Sequence, residues 1–251
     1  MGTLDGKVAL VTGAGQGVGQ GIAYALATDG AAVVVAGRTV AKVQATADEI
    51  TSRGGSAHAL ECDVKDEAAI QRCVDETVAT FGTVDILVNN AQEVTLGPLL
   101  DMTRDTFQDG WLSGPVASFS FMKACHEHLK DGGVVINLAT SASLRLDPMG
   151  YGVYGAVKDA TRILSRVAAT EWGADGIRVI CLMPLAASPA YQGWEQVDPD
   201  GAAHFRAGIP LRYVGDCEQD IGRAVAMLCG PDARYITGST ISVDGGQAYL
   251  R

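Results

Sequence analysis

No stretch of the sequence stays apolar for the length that a membrane-spanning helix needs, so a helical membrane protein is not expected. Runs of lysine and arginine are also missing. With 29 Asp and Glu against 19 Lys and Arg, the formal net charge is −10, a field that repels phosphate backbones and anionic lipid headgroups. Neither nucleic acid nor a membrane surface is therefore expected as a partner. The segment from Met1 to Leu10 has one lysine, one aspartate and only a short apolar run, the pattern of neither a secretory signal nor an anchor. Cysteine occurs six times, at Cys62, Cys73, Cys125, Cys181, Cys217 and Cys229, without a CxxC or a Cys/His cluster. That scatter predicts reduced core thiols in the cytoplasm and no metal site.

Proline is sparse, at 8 residues, whereas glycine is abundant, at 31, which implies many tight turns and close backbone approaches. Apolar residues make up 47% and charged residues 19%, ordinary globular usage, and a length of 251 residues suits one large α/β domain over 1–251. Short apolar runs recur at Val8 to Val11, Ala32 to Ala36, Ala57 to Leu60, Ile86 to Val88, Val134 to Leu138, Arg178 to Leu182 and Thr240 to Val243. Each reads as a buried strand. Helical spacing lies between them: from Asp66 to Phe81, the residues Ile70, Cys73, Val74, Thr77, Val78 and Phe81 form one apolar face. Strands alternating with helices predict a Rossmann-type, doubly wound parallel sheet of about seven strands with helices on both faces. The stretch 184–212 mixes Pro189, Gly193, Pro199, Gly201 and Gly208 with Tyr191, Trp194 and Phe205, and it reads as an irregular loop covering a ligand or as a surface insertion.

The first strand runs into Thr12-Gly13-Ala14-Gly15-Gln16-Gly17-Val18-Gly19, and a helical pattern follows at once. Glycines there permit a tight turn and let the backbone approach a pyrophosphate, while the helix N-terminus supplies amide donors. Where the second strand ends, the carboxylate that would take an adenosine ribose is replaced by Gly37, and Arg38 and Thr39 follow. A guanidinium in that place can hold a ribose 2′-phosphate, which predicts a preference for NADP(H); the absence of a basic residue at Gln16 leaves NAD(H) open. Farther on, Tyr154 and Lys158 are four residues apart in a helical pattern and share one face. An ammonium and a positive nicotinamide ring near the phenol would lower its pKa and fit it for proton transfer. Alone, such a pair is more often a solvated face; for Arg38 the bland alternative is a solvated turn residue.

Taken together, the TGxxxGxG turn, Asp63-Val64, Asn89-Asn90-Ala91, a serine strand end, YxxxK, Gly176-Ile177-Arg178-Val179 and Asp244-Gly245-Gly246 resemble the short-chain dehydrogenase/reductase family over nearly the whole chain. That resemblance implies a carbonyl or secondary-alcohol substrate, with Tyr154 as acid/base and Lys158 as its tuner and ribose ligand. It also implies that Asp63 and Val64 flank the adenine, and that Asn90 and Ala91 border the cofactor. Pro184 and Ser188 fall beside the nicotinamide. The catalytic hydroxyl maps to Ser141 when counted back from Tyr154 and to Thr140 when counted forward from Asn137, with Ser141 preferred. A homotetramer or dimer is implied too, with the Tyr154 helix and the region from Asp244 to Tyr249 at its interfaces.

Three positions depart from the family pattern. Gln92 replaces a glycine after Asn89-Asn90-Ala91, and Leu185 replaces a glycine after Pro184. The family's helix asparagine should fall near Ser113 or Gly114, yet none is present, and Pro115 is expected to kink the helix. These departures raise an alternative function: a nicotinamide-binding protein with little turnover, acting as a sensor or assembly subunit.

Overall fold

The computed structural model describes residues 2–144 and 150–248. Seven strands form one sheet: β1 (Val8–Thr12), β2 (Ala32–Gly37), β3 (Ser56–Glu61), β4 (Ile86–Asn89), β5 (Val134–Leu138), β6 (Arg178–Pro184) and β7 (Thr240–Val243). Their order is β3-β2-β1-β4-β5-β6-β7, and every pairing is parallel. All seven strands read from the apolar runs are present, because Val- and Ile-rich segments fit a pleated surface covered on both faces.

The strands are joined by helices α1 (Gly17–Thr28), α2 (Val40–Ser52), α3 (Glu67–Phe81), α4 (Arg104–Trp111), α5 (Ala117–Leu129) and α6 (Gly152–Trp172). After β6 come α7 (Pro189–Val197), α8 (Pro199–Gly208) and α9 (Arg223–Cys229). Local chemistry sets the ends of α3. The Asp66 side chain accepts a hydrogen bond from the Ala68 amide at 2.9 Å, and Gly82 ends the helix at φ 89°. The face foreseen from spacing is the one that α3 buries, through Ile70, Cys73, Val74 and Thr77.

Successive strand residues point to opposite sides of the sheet. Ala9, Val11, Val33, Val35 and Val88 pack under Ile22 and Leu26 of α1, whereas Leu10, Val34, Leu87 and Val135 pack against Ile70 of α3 and Phe121 of α5. Two cores of this kind make the sheet a rigid platform. The order reverses at β1, which has β2 on one side and β4 on the other, so a crevice opens at the carboxyl ends of these strands.

The stretch 184–212 is not irregular. It contains α7 and α8, because its prolines begin helices: Pro189 and Pro199 occupy the first helical turn, where no amide hydrogen is needed. Ser188 caps α7, and Asp198 caps α8 by accepting from the Gly201 amide at 2.9 Å. Pro115 has the expected effect, since a π-helical turn over Leu112–Val116 lies between α4 and α5.

Candidate active site

β1 ends in Thr12, whose hydroxyl accepts from the amides of Asn90 at 3.0 Å and Ala91 at 3.1 Å. In return, the Asn90 side-chain amide donates to the carbonyls of Thr12 at 2.9 Å and Gly13 at 3.1 Å. This lacing fixes the glycine turn between β1 and α1. Gly13 sits at φ +64°, and a Cβ there would come within 2.9 Å of the Ala91 Cα. At Gly19 a Cβ would lie 2.4 Å from the Asn90 amide nitrogen. The α1 N-terminus has no side-chain cap, since the Gln16 side-chain oxygen Oε1 instead accepts from the Lys42 ammonium at 2.6 Å. First-turn amides without a side-chain partner, beside open backbone, form a cradle that fits a pyrophosphate.

A cleft of about 1080 Å³ extends from this cradle. Gly13, Gln16, Gly17, Val18, Arg38, Thr39, Asp63, Val64, Asn90, Ala91, Pro184 and Ser188 line it, as do Ser141, Tyr154 and Lys158. Of the expected site residues, only Gly19 stands behind the wall, where it gives Asn90 room. A cavity of that size exceeds the ~300–1,000 Å³ of ordinary small-molecule pockets, as a dinucleotide together with a substrate requires. Lys42 and Glu93, which sequence reasoning missed, also face the cleft. For Lys42 there was a usable signal: it lies three residues after Thr39, in the first turn of α2 beside the predicted phosphate site.

At the far end, Tyr154 and Lys158 project from α6, and the Lys158 ammonium lies 5.9 Å from the centre of the phenol ring. That ammonium donates to the Leu138 carbonyl at 2.8 Å. Burial pushes Lys158 down to about 8. Burial raises the pKa of Tyr154, and hydrogen bonding to Thr140 opposes the rise only in part. Desolvation disfavours the charged phenolate and is the largest cause of the rise in the free protein.

The two candidate hydroxyls diverge. Thr140 is the one whose proximity opposes the rise of the Tyr154 pKa, and its hydroxyl accepts from the Ala142 amide at 3.2 Å, whereas Ser141 donates to the Gln247 side chain at 3.4 Å. Ser188 is engaged as the cap of α7, accepting from the Tyr191 amide at 3.4 Å. Tyr191, Trp194 and Phe205 meet edge to face or tilted, with ring centres 5.7 to 6.2 Å apart, and Tyr151 lies 6.3 Å from Tyr154. All four rings line the cleft, but Leu144 packs beside Ala139, Cys181 and Met183 instead.

Two of the three departures from the family pattern, Gln92 and the missing helix asparagine, meet at one point. Gln92 donates through its amide nitrogen to the Gly110 carbonyl at 2.9 Å, the Glu93 carbonyl at 3.0 Å and the Ser113 hydroxyl at 3.2 Å. Ser113 in turn donates to the Asp109 carbonyl at 2.7 Å. A Cβ on Gly114 would lie 2.5 Å from the Gln92 side-chain oxygen. The amide of Gln92 therefore fills the space that a side chain at position 114 would need, and it satisfies a carbonyl beside the π-helical turn. Its own oxygen is buried without a hydrogen-bond partner among the described residues.

Among the described residues, no helix is long and apolar enough to cross a membrane, no group of His, Cys, Asp and Glu could hold a metal ion, and the six cysteines are unpaired.

The family model described as enoyl-(acyl carrier protein) reductase matches residues 13–248. The chain is 39% identical to a 12alpha-hydroxysteroid dehydrogenase of Clostridium sp., over 98% of each chain. It is 34% identical to a sorbitol dehydrogenase of Cereibacter sphaeroides, over 97% of this chain and 98% of that one. Among solved structures, a short chain dehydrogenase from Burkholderia cenocepacia in complex with NADP superimposes with a TM-score of 0.90, at 31% identity, over 98% of this chain and 99% of that one. Glycine turn, YxxxK helix, sheet order and these similarities agree, and the chain belongs to the short-chain dehydrogenase/reductase family.

Proposed function

We propose that the protein is an NADP(H)-dependent oxidoreductase that interconverts a carbonyl compound and the corresponding secondary alcohol. One observation carries the reading: the phosphate cradle and the Tyr154, Lys158 and Thr140 group open into the same cleft. Arg38 and Lys42 at the adenosine end favour the phosphorylated cofactor, and the NADP complex of the Burkholderia relative supports it. Bound nicotinamide would supply or accept the hydride.

Proton transfer falls to the chain. In reduction, the Tyr154 phenol, kept protonated by burial, gives its proton to the carbonyl oxygen as the alcohol forms. In oxidation the same phenol takes the proton back. Thr140 and Ser141 both line the cleft beside Tyr154, and a hydroxyl there donates to that substrate oxygen; the effect of Thr140 on the Tyr154 phenol favours Thr140. The ammonium of Lys158, held by the Leu138 carbonyl, favours the phenolate when a base is needed and would hold the nicotinamide ribose of a bound cofactor.

Low turnover loses its motive, because the Gln92 amide occupies the place left by the missing asparagine. The six free cysteines support a cytoplasmic location, and exposed apolar side chains on α4, α5 and α6 support a homotetramer or dimer.

The test combines fluorescence titration with NADPH and NADH and turnover of a panel of ketones, for wild type and Tyr154→Phe. NADPH should bind more tightly than NADH. The variant should keep that affinity and lose about 10²- to 10⁴-fold in turnover, the usual worth of a general acid/base. A protein that binds neither nucleotide, or a variant as active as wild type, would refute the assignment.

A further inference from the structure

The cation expected to grip a ribose phosphate is already engaged: the Arg38 guanidinium forms an ion pair with the Glu93 carboxylate. These residues stand on opposite banks of the cleft. Arg38 follows β2, Glu93 follows β4, and β1 with its glycine turn runs between them. The pair thus bridges the crevice at its adenosine end.

Glu93 also has a second cation, since the Lys65 ammonium lies 3.2 Å from one of its oxygens and 3.3 Å from the other. Lys65 is itself held by Asp109 at 3.1 Å. The Glu93 backbone is pinned from two sides, its amide donating to Ser113 at 3.1 Å and its carbonyl accepting from Gln92 at 3.0 Å. Its side chain can therefore change partner without a backbone shift. Arg38, the more exposed member of the pair at 55% against 27%, is the one free to turn toward a ligand.

We propose that Glu93 is a specificity-determining residue, the counterion that Arg38 gives up when a ribose 2′-phosphate binds. A doubly charged phosphate makes stronger, bidentate hydrogen bonds with a guanidinium than a carboxylate does in a half-exposed pair. When it takes Arg38, Glu93 keeps Lys65, so no charge is left unpaired. NADPH must compete for its cation and NADH need not, so Glu93 narrows the margin between the two cofactors. This inference rests on the cofactor assignment above.

Glu93→Gln should lower the Kd for NADPH about fivefold, the fold-change matching an exposed ion pair, and shift that for NADH less than twofold. Asp109→Asn removes the same charge from the other side of Lys65 and should leave the ratio of the two affinities unchanged. In an Arg38→Ser background, Glu93→Gln should no longer favour NADPH. An equal gain for both cofactors would mean bulk electrostatics and overturn the proposal. Weaker NADPH binding would also overturn it, by showing that Glu93 positions Arg38 rather than competing for it. Wild type that binds NADPH, with no change in Glu93→Gln, would sink this inference alone; wild type that binds neither cofactor would sink the functional reading as well.

Discussion

Lys158 is a buried cation whose only hydrogen bond among the described residues runs to the Leu138 carbonyl. Its pKa of about 8 lies below the ordinary 10.5, so folding costs free energy wherever the lysine is protonated in both states. Below pH 8 that cost is constant. Between the two values the folded form has released a proton that the unfolded form retains, so stability rises with pH. Lys158→Met should therefore stabilise the cofactor-free protein at pH 7 by about 1–3 kcal/mol, after allowing for the lost Leu138 hydrogen bond. Urea unfolding at pH 7 and pH 10 should show this advantage shrinking at the higher pH, while activity is abolished. A variant less stable than wild type at pH 7 would contradict the account. Residues such as Lys158 and the turn glycines were legible because short-range spacing declares them. Lys65 and Glu93 were not, because long charged side chains find partners across 28 to 55 residues of sequence that no local pattern connects.

At the scale of elements, the strands declared themselves through runs of valine and isoleucine, but α7 and α8 did not. Their prolines and glycines look like punctuation until the caps are seen: Ser188 before Pro189, and Asp198 before Pro199. The Arg206–Glu195 ion pair and the edge-to-face contact of Trp194 with Phe205 then hold the two helices together over the cleft. Loss of the α8 cap should loosen this cover without touching the cofactor cradle. Asp198→Ala should cost α8 about 1 kcal/mol. Hydrogen exchange over residues 199–208 should quicken, and KM for the carbonyl substrate should rise with the NADPH affinity unchanged. If NADPH affinity fell in parallel, α8 would belong to the cofactor site instead.

The whole molecule has a net charge of −10, which keeps copies apart unless a specific surface overcomes it. The candidate for such a surface is a set of exposed apolar side chains on α4, α5 and α6. Phe107 and Trp111 of α4, Phe119 of α5, and Ile163 and Val167 of α6 are each 38% to 54% exposed. Phe107 and Trp111 stack with ring centres 6.0 Å apart, so part of the patch is already ordered. Large apolar side chains on three neighbouring helices fit self-association through a two-fold axis, where each residue meets its own copy or a neighbour's. The other interface expected from sequence, around Asp244 to Tyr249, reaches beyond the described residues at Tyr249; within them, Asp244 is buried and accepts from the amides of Gly246 and Ala248 at 3.0 Å each. A charge placed at the centre of the helical patch should therefore split the assembly there. Light scattering at micromolar concentration should give a multiple of the monomer mass for wild type and a smaller assembly for Ile163→Glu. Since α6 also carries Tyr154, the variant should lose thermal stability and turnover together, and both should recover in part as its concentration is raised. A wild-type protein that scatters as a monomer would remove the basis for an interface here, and the patch would then need a different partner.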